Sequence, residues 1–525
     1  MATGIMILVA MPAHADNYPA VTDMDYNETV LKFHASQSKN ASFLTDVKCP
    51  NLSYLKLNCH IRKGDMVNYY QSDDSKDFEI RTESYYRFSE RLMLSGAISY
   101  ETDKGKNMSG SAFINPEHTP FDIVEMDKSN AGTKRRERYS LIGKAGYSLN
   151  SRTSLGASVE YAVENYAKFK DLRHQNSMMD LGLSLGGKYK ITDNVTFGSV
   201  YVYRRNIQRV SFNIYGNTDR QYTSLISFGG FYGRSELFGE SGYTSNALPL
   251  FTRTNGGALQ LLWETAGVKW FNEFGFYKDK GQFGTGSSTS ITYSNHNSTG
   301  PEYKSKLIIE KPRSFHVIEL NVFSKSLENN ENSYKESTDA NGVSQIVYYG
   351  SNKVGEKEWK GIDVTYSFLS GNGIRRSDWS AGMGTGYYSR LVTASQYPFY
   401  RKQDINSVHA DLFVKKNWFR KKHIYTFSLT GGYSTGWGNM NDDGTYTGVS
   451  ENQKAPVSLD NLLVQEYDYN TASQVKSCAS LSCERGITRK LSLFLNVDFT
   501  YLITLNTSLK GKKHMVCGLS AGVKF

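Results

Sequence analysis

Residues 179–191 read MDLGLSLGGKYKI, and every second residue from Met179 to Ile191 is apolar or aromatic except Gly187. The residues between them are polar or small. A period of two is typical of an extended strand with one apolar face. The tight turn at residues 192–194 leads into a second segment with one aromatic face, formed by Val195, Phe197, Tyr201 and Tyr203. This stretch therefore predicts a β-hairpin.

The same alternating unit recurs along the chain. Further examples lie at residues 139–149, 155–163, 425–433 and 491–499. Each predicted strand has about nine to fifteen residues, whereas about nine to eleven cross a tilted bilayer and about five or six are usual in soluble sheets. Because hydrocarbon offers no water to unpaired backbone groups, a β-protein there must close on itself. We therefore predict an all-β fold, a closed antiparallel transmembrane β-barrel of about 14–18 strands with long external loops.

The composition agrees with a barrel. The chain has 525 residues, of which 39% are hydrophobic, and its mean hydropathy is -0.49. Such values are expected when only alternate strand residues face lipid. Because no run of about eighteen apolar residues occurs, a spanning helix is excluded. Tyrosines near strand ends indicate interfacial girdles, with ordinary strand filler as the alternative. These are Tyr100, Tyr161, Tyr166, Tyr201, Tyr203, Tyr387 and Tyr388.

The two ends of the chain point to the bacterial outer membrane. Residues 1–15 contain a short apolar run followed by Ala13 and Ala15, which predicts a signal peptide, complete or shortened, with a buried strand as the alternative. Residues 16–75 form an extension that is either a plug or the first strand, and residues 76–525 form the predicted barrel. The last segment alternates and ends on Phe525, an aromatic residue that we interpret as the barrel-assembly signal. Polar segments predict external loops at 103–135, 284–301, 328–342 and 437–456.

One region resembles a known family. The residues concerned are Glu137-Arg138-Tyr139-Ser140-Leu141, then Tyr161, and then the loop 171–176, Asp-Leu-Arg-His-Gln-Asn. They resemble a large family of Bacteroidota outer-membrane β-barrels, a domain of unknown function often found beside TonB-dependent receptors. Related members tend to carry an Asp-Pro-Arg loop, from which Leu172 departs. The resemblance covers about residues 80–525 and implies a fold and a compartment, but no activity.

Polar residues on the inner faces of strands predict a hydrated lumen with charges of both signs. Alternation from residue 407 to 415 places His409 and Asp411 on one face. The lumen-lining candidates are His409, Asp411, Asp498, Glu160, Glu164, Glu264, Glu273, Lys144 and Lys188. Such a lining would select among the solutes that pass.

Signals for catalysis are weak. The glycines of residues 382–386 are followed by a strand and not by the helix that a phosphate-binding loop requires, so we interpret them as lumen space. A barrel-embedded hydrolase would need a serine or threonine within reach of His409. We predict no catalytic residue, no metal site and no cofactor.

Basic residues cluster near predicted strand ends, and the net charge is +10. The clusters are Lys134 to Arg138, Lys415-Lys416, Arg420 to His423, and Lys510, Lys512 and Lys513. We expect them to meet lipid phosphates or lipopolysaccharide. Nucleic acid is not expected, because it would require one continuous patch. The other expected partners are the barrel assembly machinery and, from the resemblance, a TonB-dependent receptor.

Five cysteines offer two candidate disulfides. Cys49 and Cys59 bracket one short segment, and Cys478 and Cys483 bracket another. Export would permit both pairs, although neither follows from sequence alone. Cys517 is left over on the lipid side of the last strand.

These observations lead to three functional hypotheses. The first is a porin-like outer-membrane pore, or an accessory component of solute or nutrient uptake. The second is a structural or surface-interaction barrel. The third is a barrel-embedded enzyme that modifies lipids or glycans.

Overall fold

The chain forms a single closed antiparallel barrel of 18 strands, which confirms the predicted fold class. The computed structural model describes residues 24–47, 51–217, 219–239, 242–244, 247–285, 290–338, 342, 344–371, 375–505 and 511–525. The first and last strands close the barrel, with Tyr54 opposite Lys524 and Gly64 opposite His514. The sheet of the barrel therefore has no free edge, as membrane insertion requires.

The strands are numbered in chain order. The barrel strands are β1 (Leu52–Gly64), β2 (Asp74–Arg87), β3 (Leu92–Met108), β5 (Gly132–Ser148), β6 (Thr153–Lys168), β7 (Arg173–Lys190), β8 (Val195–Asn213), β11 (Pro249–Thr265), β12 (Val268–Gly284), β13 (Thr292–Lys311), β14 (Ser314–Thr338), β15 (Ser344–Ser370), β16 (Trp379–Gln396), β17 (Phe399–Arg420), β18 (His423–Thr445), β20 (Gln474–Thr488), β21 (Leu491–Thr504) and β22 (Lys513–Lys524). A small second sheet contains β4 (Asp122–Glu125), β9 (Thr223–Gly229), β10 (Tyr232–Leu237) and β19 (Val457–Ser458).

Residues that alternate in the sequence lie on opposite faces of the barrel wall. On β8, Phe197 and Tyr201 are exposed on the outer face, while Gly198 and Val200 between them are buried on the inner face. The predicted turns at 150–152 and 192–194 connect β5 to β6 and β7 to β8. The hydrophobic period of two therefore assigns each side chain to one face of the wall.

The two ends of the barrel differ in their connections. At the termini end, where β1 begins and β22 ends, the turns are residues 88–91, 149–152, 191–194, 266–267, 312–313, 371–378, 421–422 and 489–490. At the loop end the long connections are residues 65–73, 109–131, 214–248 and 446–473. This asymmetry is typical of outer-membrane barrels, whose periplasmic turns are short.

Several predicted loops turn out to be strands. β3 continues to Met108, β13 begins at Thr292, β14 continues to Thr338 and β18 to Thr445. The strand ends are polar on both faces because a paired β-ribbon in water needs no apolar side. Hydropathy therefore predicted loops where the strands project beyond the apolar part of the wall.

Other chain segments fill the lumen. Near the termini end lie helix α1 (Tyr26–Leu31) and a 3-10 helix (Ala41–Asp46). Near the loop end lie the small sheet, two single-turn 3-10 helices (Pro116–His118 and Lys128–Asn130) and helix α2 (Asp460–Thr471). Neither α1 nor α2, nor any other helix in the described ranges, is long and apolar enough to cross a bilayer.

The barrel begins earlier than the predicted boundary at residue 76. The predicted extension 16–75 contains both a lumen segment and the strand β1, and its end falls inside β2. The polar loop 65–73 concealed this boundary, because it separates β1 from the stronger pattern that follows. Residues 1–15, where we predict a signal peptide, lie outside the described residues.

Candidate functional site in the barrel lumen

The lumen is lined by charged groups from most strands of the wall. Cross-strand register places all the lumen candidates on the inner face, namely His409, Asp411, Asp498, Glu160, Glu164, Glu264, Glu273, Lys144 and Lys188. They do not form one cluster. Glu264 lies at the termini end beside Lys269, at 3.3 Å, whereas Glu164 lies near the loop end and pairs with Arg138 at 2.8 Å. The lumen therefore has distinct layers along its axis.

The layer at the termini end is filled by residues 24–47, which we name the plug segment. Asn40 lies at its centre, and its side-chain amide donates to Gln260 Oε1 at 2.9 Å and to two wall carbonyls, those of Gly187 and Ser199, at 3.0 Å. Ser38 donates to Glu273 Oε2 at 2.5 Å. Wall side chains of β11 and β12 therefore hold the plug segment through polar contacts.

Glycines in the wall make room for the 3-10 helix of the plug segment. A Cβ atom on Gly156 would overlap the backbone nitrogen of Ser42. On Gly198 it would lie 2.8 Å from the Phe43 ring. Because any larger residue would displace the helix, these inner-face glycines are part of the binding surface of the plug segment.

A buried charge network anchors the other half of the plug segment. Glu28 accepts hydrogen bonds from the backbone nitrogen and hydroxyl of Ser377, both at 2.8 Å, and from Lys415 Nζ at 2.9 Å. Lys415 also donates to Asp25 at 3.0 Å. Arg376 donates to the carbonyl of Met24 at 3.1 Å and joins the same network.

The network contains acids and bases in equal number. Its acids are Asp25, Glu28 and Glu484, and its bases are Arg376, Lys415 and Lys524. Burial raises the pKa of the Asp25 carboxyl, but the charges of Lys415 and Arg376 outweigh it and hold that pKa below its ordinary value. Near the 3-10 helix, burial acts to raise the pKa of Asp46, yet His34 at 3.4 Å and the charge of Lys188 lower that pKa to about 2. Asp25 and Asp46 therefore hold the plug segment as ionised carboxylates.

The layer at the loop end is formed by the small sheet, residues 109–131 and α2, which together we name the lid. Against β8 and β11–β13 its packing is aromatic, with Phe121, Tyr243 and Phe283 at the centre of a large buried cluster. Against β15–β17 its packing is polar. Arg390 pairs with Glu466 of α2 at 2.8 Å, and Gln403 donates to the same carboxylate at 3.1 Å. The polar side encloses a small cavity of about 40 Å³.

A larger hydrated cavity lies between the plug segment and the lid. Its volume is about 340 Å³. Its lining includes three basic and three acidic side chains, Lys39, Arg204, Lys325, Glu160, Asp279 and Glu302. Arg204 makes a two-pronged contact with Asp180 at 2.6 and 2.7 Å, and Lys325 pairs with Asp279 at 2.8 Å. Several cations are thus fixed in position by acids while still facing water.

The opposite wall is hydrated at the same level. His409 Nε2 lies 3.8 Å from Asp363 Oδ1, and both side chains are about half exposed, at 45% and 50%. Asp411 lies two residues along on the same face. Among the hydrogen bonds of the described residues, none joins the His409 ring to a serine or threonine hydroxyl. The enzyme hypothesis therefore gains no geometric support here, and the absence of catalysis stays a prediction.

The prediction of a Cys478–Cys483 disulfide is wrong. Both residues lie on one continuous strand, β20, where Cys478 faces the lumen and Cys483 faces outward, and both thiols are free. Five residues along a strand separate two Cα atoms by roughly 16 Å, far beyond disulfide reach. Cys59 is also free on the outer face, and Cys49 lies outside the described residues. Cys517 is exposed on the outer face of the last strand.

One predicted lipid-contacting cluster lies inside the barrel. Lys134 is buried, and its ammonium donates to the carbonyls of Ser109 and Ser111 at 2.9 and 2.8 Å. Arg136 pairs with Glu101 at 2.5 Å. Because successive side chains of β5 point to opposite faces of the wall, Lys134 and Arg136 face the lid and the lumen, while Arg135 faces outward. Lys415 of a second cluster belongs to the plug network, and Lys510 lies outside the described residues.

Sequence reasoning missed part of the site. Asp363, Arg204 and Asp279 were not among the lumen candidates, although extending the alternation from Glu273 along β12 would have placed Asp279 on the inner face. Lys39 had no such signal, because the plug segment has no strand periodicity.

Comparisons with known proteins give a family and a set of similar shapes. The model of a family of unknown function, DUF6850, matches residues 41–525, in agreement with the predicted domain of unknown function. No curated protein matches the chain. Similar solved structures include the ferric preacinetobactin receptor BauA from Acinetobacter baumannii, with 8% identity, 90% of this chain and 80% of that chain covered, and a TM-score of 0.39.

Two further structures give the same picture. The FrpB iron transporter from Neisseria meningitidis has 8% identity, 93% and 84% coverage of the two chains, and a TM-score of 0.40. A mutant of the monoaromatic hydrocarbon channel TodX has 10% identity, 97% and 98% coverage, and a TM-score of 0.31. The assignment of the fold rests on the strand pairing of this chain itself.

Proposed function

The chain belongs to the family of unknown function DUF6850, and from that premise we propose that it is an outer-membrane barrel with a gated lumen for the uptake of small polar solutes. The outer face supports a membrane location. Along β11 and β12 it presents Leu259, Leu261, Trp263, Phe274 and Phe276, all exposed. Contiguous exposed apolar surface of this kind is unfavourable in water and is expected where lipid covers it.

The observation that carries the proposal is the hydrated, charged layer between the plug segment and the lid. A barrel of roughly 16–18 strands is wide enough for an aqueous channel. A purely structural barrel has no need to keep three cations and three carboxylates facing a cavity of about 340 Å³. Charged groups that face a water-filled route can interact with solutes that pass, as they do in other pores.

The two closures differ in how they are held. The lid packs against β8 and β11–β13 through a large aromatic cluster. The plug segment packs in four small apolar clusters, around Phe43, Leu44, Met24 and Leu31, and otherwise depends on charges and hydrogen bonds. Polar interfaces within a chain permit relative movement more readily than large apolar ones. We therefore assign the movable gate to the plug segment. The narrowest part of the solute path then lies at the polar side of the lid, beside Arg390 and Glu466.

The lining indicates the class of solute. Equal numbers of acids and bases favour small zwitterions and neutral polar molecules over solutes with a single strong charge. The proposed test is swelling of proteoliposomes in glycine, arginine, glutamate and a large oligosaccharide. The wild-type chain is compared with Glu28→Gln, which weakens the anchor of the plug segment, alone and combined with Arg204→Glu.

We expect faster swelling in glycine than in the charged amino acids or the oligosaccharide, and faster entry overall in Glu28→Gln. Adding Arg204→Glu should shift the preference towards arginine, because the cavity then carries excess negative charge. Swelling that is absent from all three proteins would contradict the pore proposal.

A second candidate function rests on a projecting hairpin. β14 has 25 residues and β15 has 27, far more than the roughly nine to eleven that cross a bilayer. Near its tip Val347 and Tyr349 are exposed, Tyr349 to 72%. Exposed apolar groups on a rigid ribbon are suited to contact with another protein.

The partners proposed from the sequence can be tested on this hairpin. The family resemblance suggests a TonB-dependent receptor, with the barrel as its accessory. We expect such a receptor to co-purify with the wild-type chain and to be lost from the double variant Val347→Ser/Tyr349→Ser. Retention in both would exclude the hairpin as the contact.

Recognition of Phe525 by the barrel assembly machinery is a separate proposal, tested by the yield of folded Phe525→Ser.

A further inference from the structure

Three cations lie in one row on the outer face of neighbouring strands. Arg253 of β11 is the direct cross-strand partner of Arg205 on β8 and of Lys280 on β12. All three side chains are exposed. Arg209 and Lys278 lie close by on the same outer face and are also exposed. We name these five residues the basic patch.

No acid balances the basic patch within the described residues. The outward positions of the flanking strands at this level are neutral, with Ser177 on β7 and Asn297 and Thr299 on β13. In the described part of the chain, no ion pair joins a carboxylate to any member of the patch. Like charges directly opposite each other on a sheet are destabilising. Such an arrangement is therefore expected where an external anion compensates it.

The two arginines are held in position by one aromatic ring. The Arg205 guanidinium lies 5.4 Å from the centroid of Phe251, and that of Arg253 lies 5.6 Å from the same ring. Stacking of this kind orients the planar guanidinium and lowers the entropy cost of binding. The row thus presents two oriented guanidinium groups, of Arg205 and Arg253, and the ammonium group of Lys280.

The height of the basic patch matches the border of the apolar wall. Leu259 of β11 and Phe276 of β12 are exposed on the termini side of the patch. Between them and the cations lie Tyr201 and Asn255, joined by a hydrogen bond of 2.8 Å from the tyrosine hydroxyl. Tyrosines form the interfacial girdle of outer-membrane barrels, just below the lipid headgroups. The cations therefore lie at the level of lipid phosphates.

The wall sector of β15–β18 has a different charge pattern on its outer face. On the outer face of β15, Lys360 lies 3.3 Å from Glu358, and the neighbouring strands add Asp404 and Asp442 at the same level. Cations there have acids beside them. A second outward row, Lys76, Lys104 and Arg135 on β2, β3 and β5, also pairs cation with cation, but there Arg135 has Glu137 beside it at 2.5 Å.

We propose that the basic patch is a binding site for a membrane glycolipid of the loop-end leaflet, recognised through two phosphomonoester groups. Guanidinium forks match phosphate oxygens in geometry, and a phosphomonoester carries nearly two negative charges. Five cations without acids require a ligand of high negative charge, which a lipid with a single phosphodiester does not supply. The site is on the outer wall and is independent of the proposed pore.

The test is native mass spectrometry of the full chain in detergent micelles. The probes are bisphosphorylated lipid A, the same glycolipid without phosphates, phosphatidylglycerol and inorganic phosphate. The variants are Arg253→Ser and the triple Arg205→Ser/Arg253→Ser/Lys280→Ser. The matched control is Lys360→Ser, an outward lysine with an acidic neighbour. Retained heat-modifiable migration on gels verifies that each protein is folded.

We expect the wild type and Lys360→Ser to bind bisphosphorylated lipid A equally. Arg253→Ser should weaken binding, and the triple variant should weaken it on the order of 100-fold, since each cation near a lipid surface contributes roughly a factor of five. Equal binding by the triple variant would overturn the proposal. So would equal binding of the phosphate-free glycolipid or of phosphatidylglycerol, or displacement by equimolar inorganic phosphate.

Discussion

Replacing Glu28 with glutamine is expected to release the plug segment. The Glu28 carboxylate is 5% exposed and accepts two hydrogen bonds from Ser377 and one from Lys415, at 2.8 to 2.9 Å. Glutamine keeps an acceptor for Ser377 but removes the charge, leaving the buried network with two acids against three bases. Removing one partner of a buried ion pair costs about 3 kcal/mol or more. That corresponds to a change of about 100-fold in the equilibrium between bound and released plug segment.

Single-channel recording in planar bilayers measures this equilibrium as open probability. Open probability should rise by about two orders of magnitude in Glu28→Gln until it saturates. The control is Glu90→Gln, which removes an exposed acid from a short turn at the same end of the barrel. Unchanged open probability in Glu28→Gln, with the N-terminal segment as resistant to protease as in the wild type, would refute the assignment of the gate.

Three further expected outcomes concern other contacts. Gly156→Ala should also open the barrel, because the new Cβ overlaps the backbone nitrogen of Ser42 and overpacking costs about 1–3 kcal/mol. A conductance unchanged from wild type would show that the 3-10 helix does not dock at Gly156. Asp46 has a pKa of about 2 in the docked plug segment, below its ordinary 3.8. Its stabilisation of the docked plug segment is therefore complete above about pH 4 and is lost as pH falls towards 2. An open probability that rises between pH 7 and 5 would contradict this. Cys478, on the lumen face, should react with a water-soluble maleimide, whereas Cys483, on the outer face, should react with a lipid-soluble one. Equal labelling of both residues by either reagent would place them on one face.

The sequence predicted the barrel because its wall obeys a strong physical rule. Because successive side chains of a strand point to opposite faces, one apolar face repeats every two residues, as it does in residues 179–191. The same rule placed His409, Asp411 and the other lumen candidates on the inner face. Strand ends beyond the apolar part of the wall carry no such constraint, and for this reason the polar parts of β14 and β18 were predicted as loops.

The interior of the site could not be predicted in the same way. The plug segment is recognised by wall residues more than 100 positions away, such as Gln260 and Glu273, and no local pattern reveals that contact. The lid is formed largely by long loops. Their aromatic residues have no spacing that distinguishes packing in the lumen from an ordinary strand or loop. The candidate pair Cys478–Cys483 failed because a short spacing in sequence does not show that both residues lie on one continuous strand.

The central claim is that alternate wall residues of a closed barrel lie in hydrocarbon. Its most direct test is a cysteine scan of residues 258–263 on β11, each position labelled with a fluorophore in liposomes containing lipids brominated on their acyl chains. We predict strong quenching at 259, 261 and 263 and weak quenching at 258, 260 and 262. Quenching that is uniform along the six positions, or absent from all of them, would contradict the account.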